Sequence, residues 1–183
     1  MTPAGGQAFP IPFLDLDPKD RSMPSVLFVC TANRFRSPLA SAFFRKALQD
    51  SAVMDAWTVD SAGTWASPGL PVLPEVSLIA RKYQLDLARH RSKPVTETLL
   101  ALHDLTLVME AGHREALQME FPRFNDRVYL LSQAVEGREY DIPDLINSLD
   151  SMMEVAGTLS ELIQKNAGNI ANLAIHLQVQ RGK

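Results

Sequence analysis

Cys30 and Arg36 bracket a short segment whose residue types could bind an anion and attack it. Cys30 follows the apolar run 26–29, and Arg36 is followed by Ser37, Pro38 and a helical pattern. A loop between a strand and a helix can turn its backbone N–H groups inward and bind an anion. The planar guanidinium of Arg36 can bind two oxygens of the same anion. These donors would also stabilise a thiolate, the nucleophilic form of cysteine.

The alternative interpretation is that Cys30 is a small buried hydrophobic residue, as free cysteines usually are. It is the only cysteine in 183 residues. A single cysteine excludes an internal disulfide, a multi-cysteine zinc site and an iron–sulfur cluster held by this chain alone. Its place after an apolar strand and before Arg-Ser-Pro favours the interpretation of Cys30 as a nucleophile.

Composition narrows the class of protein further. The chain is 46% hydrophobic and 21% charged, which is typical of one domain with a real core. Its net charge of -3 and pI of about 5.8 argue against a nucleic-acid partner. The sequence has neither a run of 18 apolar residues nor a signal-peptide pattern, so we expect cytoplasmic localisation and no membrane partner.

Alternating apolar runs and helical patterns predict an α/β fold. Strands are predicted at 26–29, 57–59, 105–109 and 127–131. Helices are predicted at 37–49, 75–83, 97–103, 111–119 and 146–165, with continuation over 167–178 after a break at Gly168. This alternation predicts a parallel sheet with helices on both faces and ligands at the carboxyl ends of its strands. We divide the chain into a proline-rich leader (1–24), the domain proper (25–166) and a C-terminal helical extension or tail (167–183).

Residues 26–40, VLFVCTANRFRSPLA, resemble the phosphatase loop of the low-molecular-weight protein tyrosine phosphatases, which has the pattern C-x5-R-S after the first strand. Similar segments follow at 59–64, 85–91, 104–109 and 141–144. The resemblance covers about residues 25–165. It implies a three-layer fold around a four-stranded parallel sheet, with no cofactor or metal. It also implies phosphotyrosine-containing protein substrates, hydrolysed through a phosphocysteine intermediate.

The resemblance assigns three catalytic residues. Cys30 would attack phosphorus, Arg36 would bind the phosphoryl oxygens, and Asp144 would protonate the leaving oxygen and later deprotonate water. Asp141 is the rival acid. Asp144 could instead be a helix cap.

Other residues match the family's loop and its surroundings. Thr31, Ala32, Asn33, Arg34, Phe35 and Ser37 complete the phosphate-binding loop. Ser37 would donate a hydrogen bond to the thiolate, while Asn33, Ser61 and His90 would brace the loop. Trp65 would form an aromatic wall for the substrate, although it could be an ordinary loop hydrophobic residue. His103, His113 and His176 show no metal-ligand spacing and are expected at the surface.

Four positions depart from the family pattern. Ala32 replaces a glycine and would be strained if that residue needs a positive φ. Phe35 replaces a second cysteine, which removes the thiol that could trap an oxidised nucleophile. Leu145 replaces the proline after the acid. Arg34 replaces an aliphatic residue, or the threonine of arginine phosphatases, and a cation there should repel a guanidinium substrate.

The sequence leaves two other functions open. The departures from the pattern allow a phosphate- or phosphotyrosine-binding module of the same fold without turnover. Arsenate reductases have a similar loop, but they pass oxidation to further cysteines, and this chain has none.

Overall fold

The computed structural model describes residues 23–181, so residues 1–22 of the predicted leader (1–24) lie outside the described residues. The strands of its single described sheet are β1 Ser25–Cys30, β2 Thr58–Gly63, β3 Leu105–Val108 and β4 Val128–Leu130. The α-helices within 23–181 are α1 Arg36–Asp50, α2 Pro74–Lys82, α3 Glu97–Leu102, α4 Ala111–Glu120, α5 Leu131–Glu136 and α6 Leu149–Arg181. Short 3-10 helices lie at Met54–Ala56 and Pro122–Arg127.

The sheet confirms the predicted architecture. All its strand pairs are parallel, and the strand order is β2-β1-β3-β4. Strand β1 is buried along its length and apolar from Val26 onward, because both of its faces are covered. Val26 and Phe28 pack in the larger core with α1, α2, α5 and α6, whereas Leu27 and Val29 pack in the smaller core with α3 and α4. Helices therefore flank both faces of a parallel α/β sheet.

Helix α6 differs in detail from the prediction. It begins at Leu149 rather than at 146, and its non-helical residue is Asn166, not Gly168. The Asn166 side chain donates to the Leu162 carbonyl at 2.9 Å, a local bond with which asparagine competes with regular helix geometry. Beyond the kink, Ile170 and Ala174 are fully buried in the larger core.

Helix α5 is absent from the sequence-based prediction. Leu131 is assigned there to the fourth strand, but β4 ends at Leu130 and α5 starts directly after it. A helix of six residues is too short to show a periodic pattern. It ends at Gly137, whose φ of 70° is the left-handed conformation that glycine adopts at helix ends.

No helix within residues 23–181 is long and apolar enough to cross a membrane.

Candidate active site

The loop between β1 and α1 lies at the carboxyl edge of the sheet. Strand β1 ends at Cys30, and α1 begins at Arg36. The N-cap residue is Phe35, whose side chain accepts no hydrogen bond from the first N–H groups of α1. The first N–H groups of a helix have no partner within the helix, so this end of α1 can donate to an anion.

Cys30 is buried at the start of this loop beside a serine hydroxyl. Its Sγ lies 3.0 Å from Ser37 Oγ, and only 3% of the residue is exposed. Ser37 Oγ accepts from Asn33 Nδ2 at 3.0 Å and donates to the Ala62 carbonyl at 3.1 Å. The hydroxyl is therefore held in place next to the sulfur by two further groups.

Asn33 connects the loop to its neighbours. Its Nδ2 also donates to Ser61 Oγ at 3.0 Å, and its Oδ1 accepts from the Lys93 backbone N–H at 3.0 Å. His90 Nε2 lies 2.7 Å from the Asn33 carbonyl oxygen. Burial lowers the pKa of His90 below its ordinary value, so the neutral ring donates this bond through Nε2–H. The structure thus brings together the residues that the sequence grouped as the brace.

The strain considered for Ala32 does not arise. The positive φ in this loop, 56°, belongs to Asn33, and Ala32 is exposed with an ordinary negative φ. Asparagine tolerates the left-handed region better than other non-glycine residues. The three side-chain hydrogen bonds of Asn33 and its backbone conformation support the same loop geometry.

Arg36 is 1% exposed, and most of its guanidinium hydrogen bonds are already made. Nη1 donates to Glu110 Oε1 and, at 2.7 Å, to the Ile142 carbonyl. Nη2 lies 3.0 Å from Asp144 Oδ2 and 3.4 Å from Thr31 Oγ1. Nε has no hydrogen-bond partner within the described part of the chain. Nε can therefore donate to an incoming oxyanion, and Nη2 on the same edge can join it if the oxyanion replaces Asp144.

The two candidate acids occupy different positions. Asp144 is bonded to Arg36, as described above. Asp141 Oδ1 accepts from the backbone N–H of Ala111, the first residue of α4. A carboxylate at that place satisfies a helix N-terminal donor and interacts favourably with the helix dipole.

Glu110 is a site residue that sequence reasoning missed. It directly precedes α4, and its carboxylate pairs with the buried Arg36. The sequence feature that could have identified Glu110 is its position directly after the third apolar strand, at the ligand-binding edge of the sheet.

Two histidines expected at the surface are buried, so that expectation was wrong for them. His103 is 2% exposed, and its Nδ1 lies 2.8 Å from the Leu99 carbonyl, where it caps the end of α3. His113 is 5% exposed and contacts Thr31. His176 is exposed as expected. A histidine ring can be buried when one of its nitrogens has a hydrogen-bond partner. The position of a histidine along a helix does not show whether such a partner exists.

Arg34 and Trp65 lie beside the loop. Arg34 is half-buried, and its Nε donates to the Pro71 carbonyl at 2.8 Å. Trp65 is 87% exposed, while its backbone N–H donates to the Thr31 carbonyl at 2.9 Å. Phe35 is buried in the larger core. The loop therefore carries a half-buried cation at Arg34 and has an exposed indole ring next to it.

Known proteins share this sequence and fold. The family model described as low molecular weight phosphotyrosine protein phosphatase matches residues 25–176. A protein-arginine-phosphatase of Bacillus subtilis is 33% identical over 144 residues, which cover 78% of this chain and 93% of the relative. A low molecular weight protein-tyrosine-phosphatase of Streptomyces coelicolor is 35% identical, with 65% and 76% covered. One similar solved structure is the YwlE arginine phosphatase, in a cysteine-to-serine mutant whose active-site serine is phosphorylated. It superposes on this chain with a TM-score of 0.74 and 31% sequence identity. The superposition covers 78% of this chain and 93% of that chain.

Proposed function

Because the chain belongs to the low molecular weight phosphotyrosine protein phosphatase family, we propose that it hydrolyses phosphotyrosine in proteins through a phosphocysteine on Cys30. Family membership makes it a protein phosphatase, an enzyme that acts on phosphoproteins. The assignment of residues to steps and the preference for tyrosine are our proposal.

The observation that carries the proposal is the guanidinium of Arg36. It is buried beside the loop that starts at Cys30, with Nη1 committed to Glu110 and Ile142 and with Nε lacking a partner among residues 23–181. A buried N–H without a partner is costly, and an oxyanion in the loop would supply that partner. Arginine can then bind two phosphoryl oxygens in parallel through Nε and Nη2.

In the first half of the reaction the thiolate of Cys30 attacks phosphorus, and an S–P bond forms as the P–O bond to the leaving group breaks. The backbone N–H groups of the loop and Arg36 stabilise the charge on the transferred phosphoryl oxygens. A phosphoryl group entering the loop takes over Nη2, which releases Asp144 from Arg36. Once released from the cation, the Asp144 carboxylate takes up a proton from solvent and then donates it to the leaving oxygen.

In the second half Asp144 has become a carboxylate and can accept a proton from water. The resulting hydroxide attacks phosphorus, the S–P bond breaks, and the electron pair returns to Cys30 as thiolate. Inorganic phosphate leaves. Ser37 Oγ lies 3.0 Å from the sulfur, so its O–H can rotate from the Ala62 carbonyl and donate to the thiolate when the sulfur leaves phosphorus.

The acid is tested by the dependence of rate on the leaving group. Asp144→Asn should lower the rate on a phosphotyrosine peptide by about 10²-fold or more, and less on an activated aryl phosphate that needs little protonation. Asp141→Asn is the matched control, since it should cost about 1 kcal/mol of stability and leave the leaving-group dependence unchanged. A steeper dependence in the Asp141 variant alone would reverse the assignment.

Covalent catalysis is tested at Cys30. Cys30→Ser should abolish turnover, whereas inorganic phosphate should still raise its melting temperature, because the loop and Arg36 remain. Full activity in this variant would refute the covalent mechanism. The phosphorylated serine in the mutant relative supports phosphoryl transfer to this position in that protein.

Arg34 supports tyrosine over arginine as the phosphorylated residue. Its Nε donates to the Pro71 carbonyl, and this hydrogen bond places the guanidinium at the loop. A cation there repels a guanidinium substrate but not a neutral phenyl ring, which it can also attract. The exposed ring of Trp65 offers an apolar surface for the same phenyl group.

A peptide panel tests this preference. We expect the order phosphotyrosine, then phosphoserine and phosphoarginine, and we expect Arg34→Thr to raise phosphoarginine turnover relative to phosphotyrosine. Arg123→Thr is the control, because Arg123 is exposed and pairs with Glu97. Faster phosphoarginine turnover in the unmodified protein would contradict the preference.

The alternatives are less well supported. The named relatives are phosphatases, which favours turnover over a binding module or an arsenate reductase. Cytoplasmic localisation stays a prediction.

A further inference from the structure

His113 is a buried polar residue of the site that the mechanism above does not use. It lies in the first turn of α4, which follows the carboxyl end of β3 and therefore meets the phosphate-binding loop. Its Nε2 is 2.8 Å from Thr31 Oγ1, while its Nδ1 is buried without a partner among residues 23–181. Thr31 directly follows the nucleophile.

Burial keeps the His113 ring neutral. It lowers the pKa of His113 below the ordinary value, and the nearby cation of Arg36 acts in the same direction. The carboxylates of Glu110, Asp144 and Asp141 oppose this effect without overcoming it. At neutral pH the ring is therefore uncharged and acts only as a hydrogen-bonding group.

The hydrogen bonds around Thr31 decide which nitrogen carries the proton. A guanidinium can only donate, so Thr31 Oγ1 accepts from Arg36 Nη2. If His113 carried its proton on Nδ1, a buried N–H would be orphaned, which costs more than an unused lone pair. The proton thus belongs on Nε2 and is donated to Thr31. The threonine oxygen then accepts twice, and its own O–H remains free to donate to a phosphoryl oxygen.

Glu110 lies next to both His113 and Arg36. Its Oε2 is 3.8 Å from His113 Nε2, which is beyond hydrogen-bond distance, and its Oε1 pairs with Arg36 Nη1. One side of the guanidinium is thus held by a carboxylate next to the histidine. The other side contacts the threonine that the histidine orients.

We propose that His113 is a positioning residue for phosphoryl binding: it orients the Thr31 hydroxyl, which holds Arg36 Nη2 and donates a further hydrogen bond to the substrate. This inference rests on the proposed function in that Arg36 is taken to bind the phosphoryl group. It gives Thr31 and His113 a joint role in affinity for the anion and none in proton transfer.

The test compares two replacements of the histidine. His113→Leu removes the donor and should lower kcat/KM and weaken competitive inhibition by inorganic phosphate, each by about three- to tenfold. His113→Gln places an amide N–H near the position of Nε2 and should restore both values to near those of the unmodified protein. His103→Asn is the control for loss of a buried histidine, and it should change neither value. Equal losses in the leucine and glutamine variants at unchanged melting temperature would overturn the proposal.

A double-mutant cycle shows whether His113 acts through Thr31. Thr31→Val should weaken phosphate inhibition to a similar extent, and adding His113→Leu should cause little further loss, because the second partner of a broken pair has nothing left to orient. Fully additive losses would refute the joint role.

Arg36→Lys, assayed alongside, separates the two hypotheses. If it abolishes turnover while the Thr31 and His113 variants bind phosphate normally, the proposed function stands and this inference fails. If Arg36→Lys is fully active, the proposed function itself fails.

Discussion

Replacing Gly63 by alanine should displace the phosphate-binding loop, because the new methyl group has no room. Gly63 ends β2 and is paired in register with Cys30. A Cβ there would lie 2.9 Å from the backbone nitrogen of Asn33 and closer still to the carbonyl oxygen of Thr31, whereas ordinary contacts begin at 3.4 Å. Both neighbours are backbone atoms, so no side chain can rotate away.

The size of the effect follows from this geometry. The loop must move by about half an ångström at Asn33 and further at Thr31 to restore ordinary contact. Misplacing reacting groups by about 1 Å costs on the order of 10²-fold in rate. Overpacking a tight site costs about 1–3 kcal/mol of stability. We therefore expect Gly63→Ala to lower kcat/KM by about 10²-fold and the free energy of unfolding by about 1–3 kcal/mol.

Steady-state kinetics on an aryl phosphate and urea unfolding measure these two quantities. Gly168→Ala in α6 is the matched control, because nothing lies within 4 Å of a Cβ at that position. It should leave kcat/KM unchanged and stabilise the helix by about 0.5–1 kcal/mol. If Gly63→Ala kept full kcat/KM, the loop would tolerate the displacement and the reasoning from close packing would be refuted.

Three further predictions concern the site and the fold. Arg36→Lys should lose most activity, since an ammonium cannot bind two oxygens in parallel, and near-normal kinetics would place Arg36 outside the phosphate site. Peroxide should inactivate the protein by over-oxidation of Cys30, with protection by phosphate, because no second cysteine exists to form a disulfide; full recovery with thiol after prolonged exposure would contradict this. Burial lowers the pKa of His103 in the folded state, so the unfolded state binds more protons and stability should fall as pH drops below about 6.5. His103→Asn should flatten this part of the stability curve measured by urea unfolding, and an unchanged slope would show that His103 does not contribute to it.

The sequence was sufficient for the strands, the longer helices and the position of the loop. These features depend on neighbours along the chain: a strand covered on both faces is a continuous apolar run, as in β1, and a helix with one buried face repeats about every 3.6 residues. The C-x5-R-S spacing also lies within one local segment, so the sequence alone is enough to place Cys30 and Arg36 at the two ends of one loop.

Short or bent elements are harder to predict. Helix α5 is too brief for its period to show, and the kink in α6 depends on one asparagine side chain that bonds back to its own helix. The family pattern has a glycine where Ala32 stands and so raises the question of a positive φ there, but in this loop the positive φ belongs to Asn33. These features depend on single side-chain bonds and single backbone angles, which leave no periodic pattern in the sequence.

Only the tertiary structure decided which charged groups surround Arg36. Glu110 reaches its guanidinium from 74 residues further along the chain and Asp144 from further still, while Asp141 turns to the end of α4 instead. The same packing buries His113 against Thr31, 82 residues away in the sequence. Spacing along a chain specifies which face of one element a residue occupies, but the partner that a buried charge finds depends on how separate elements pack at one edge of the sheet.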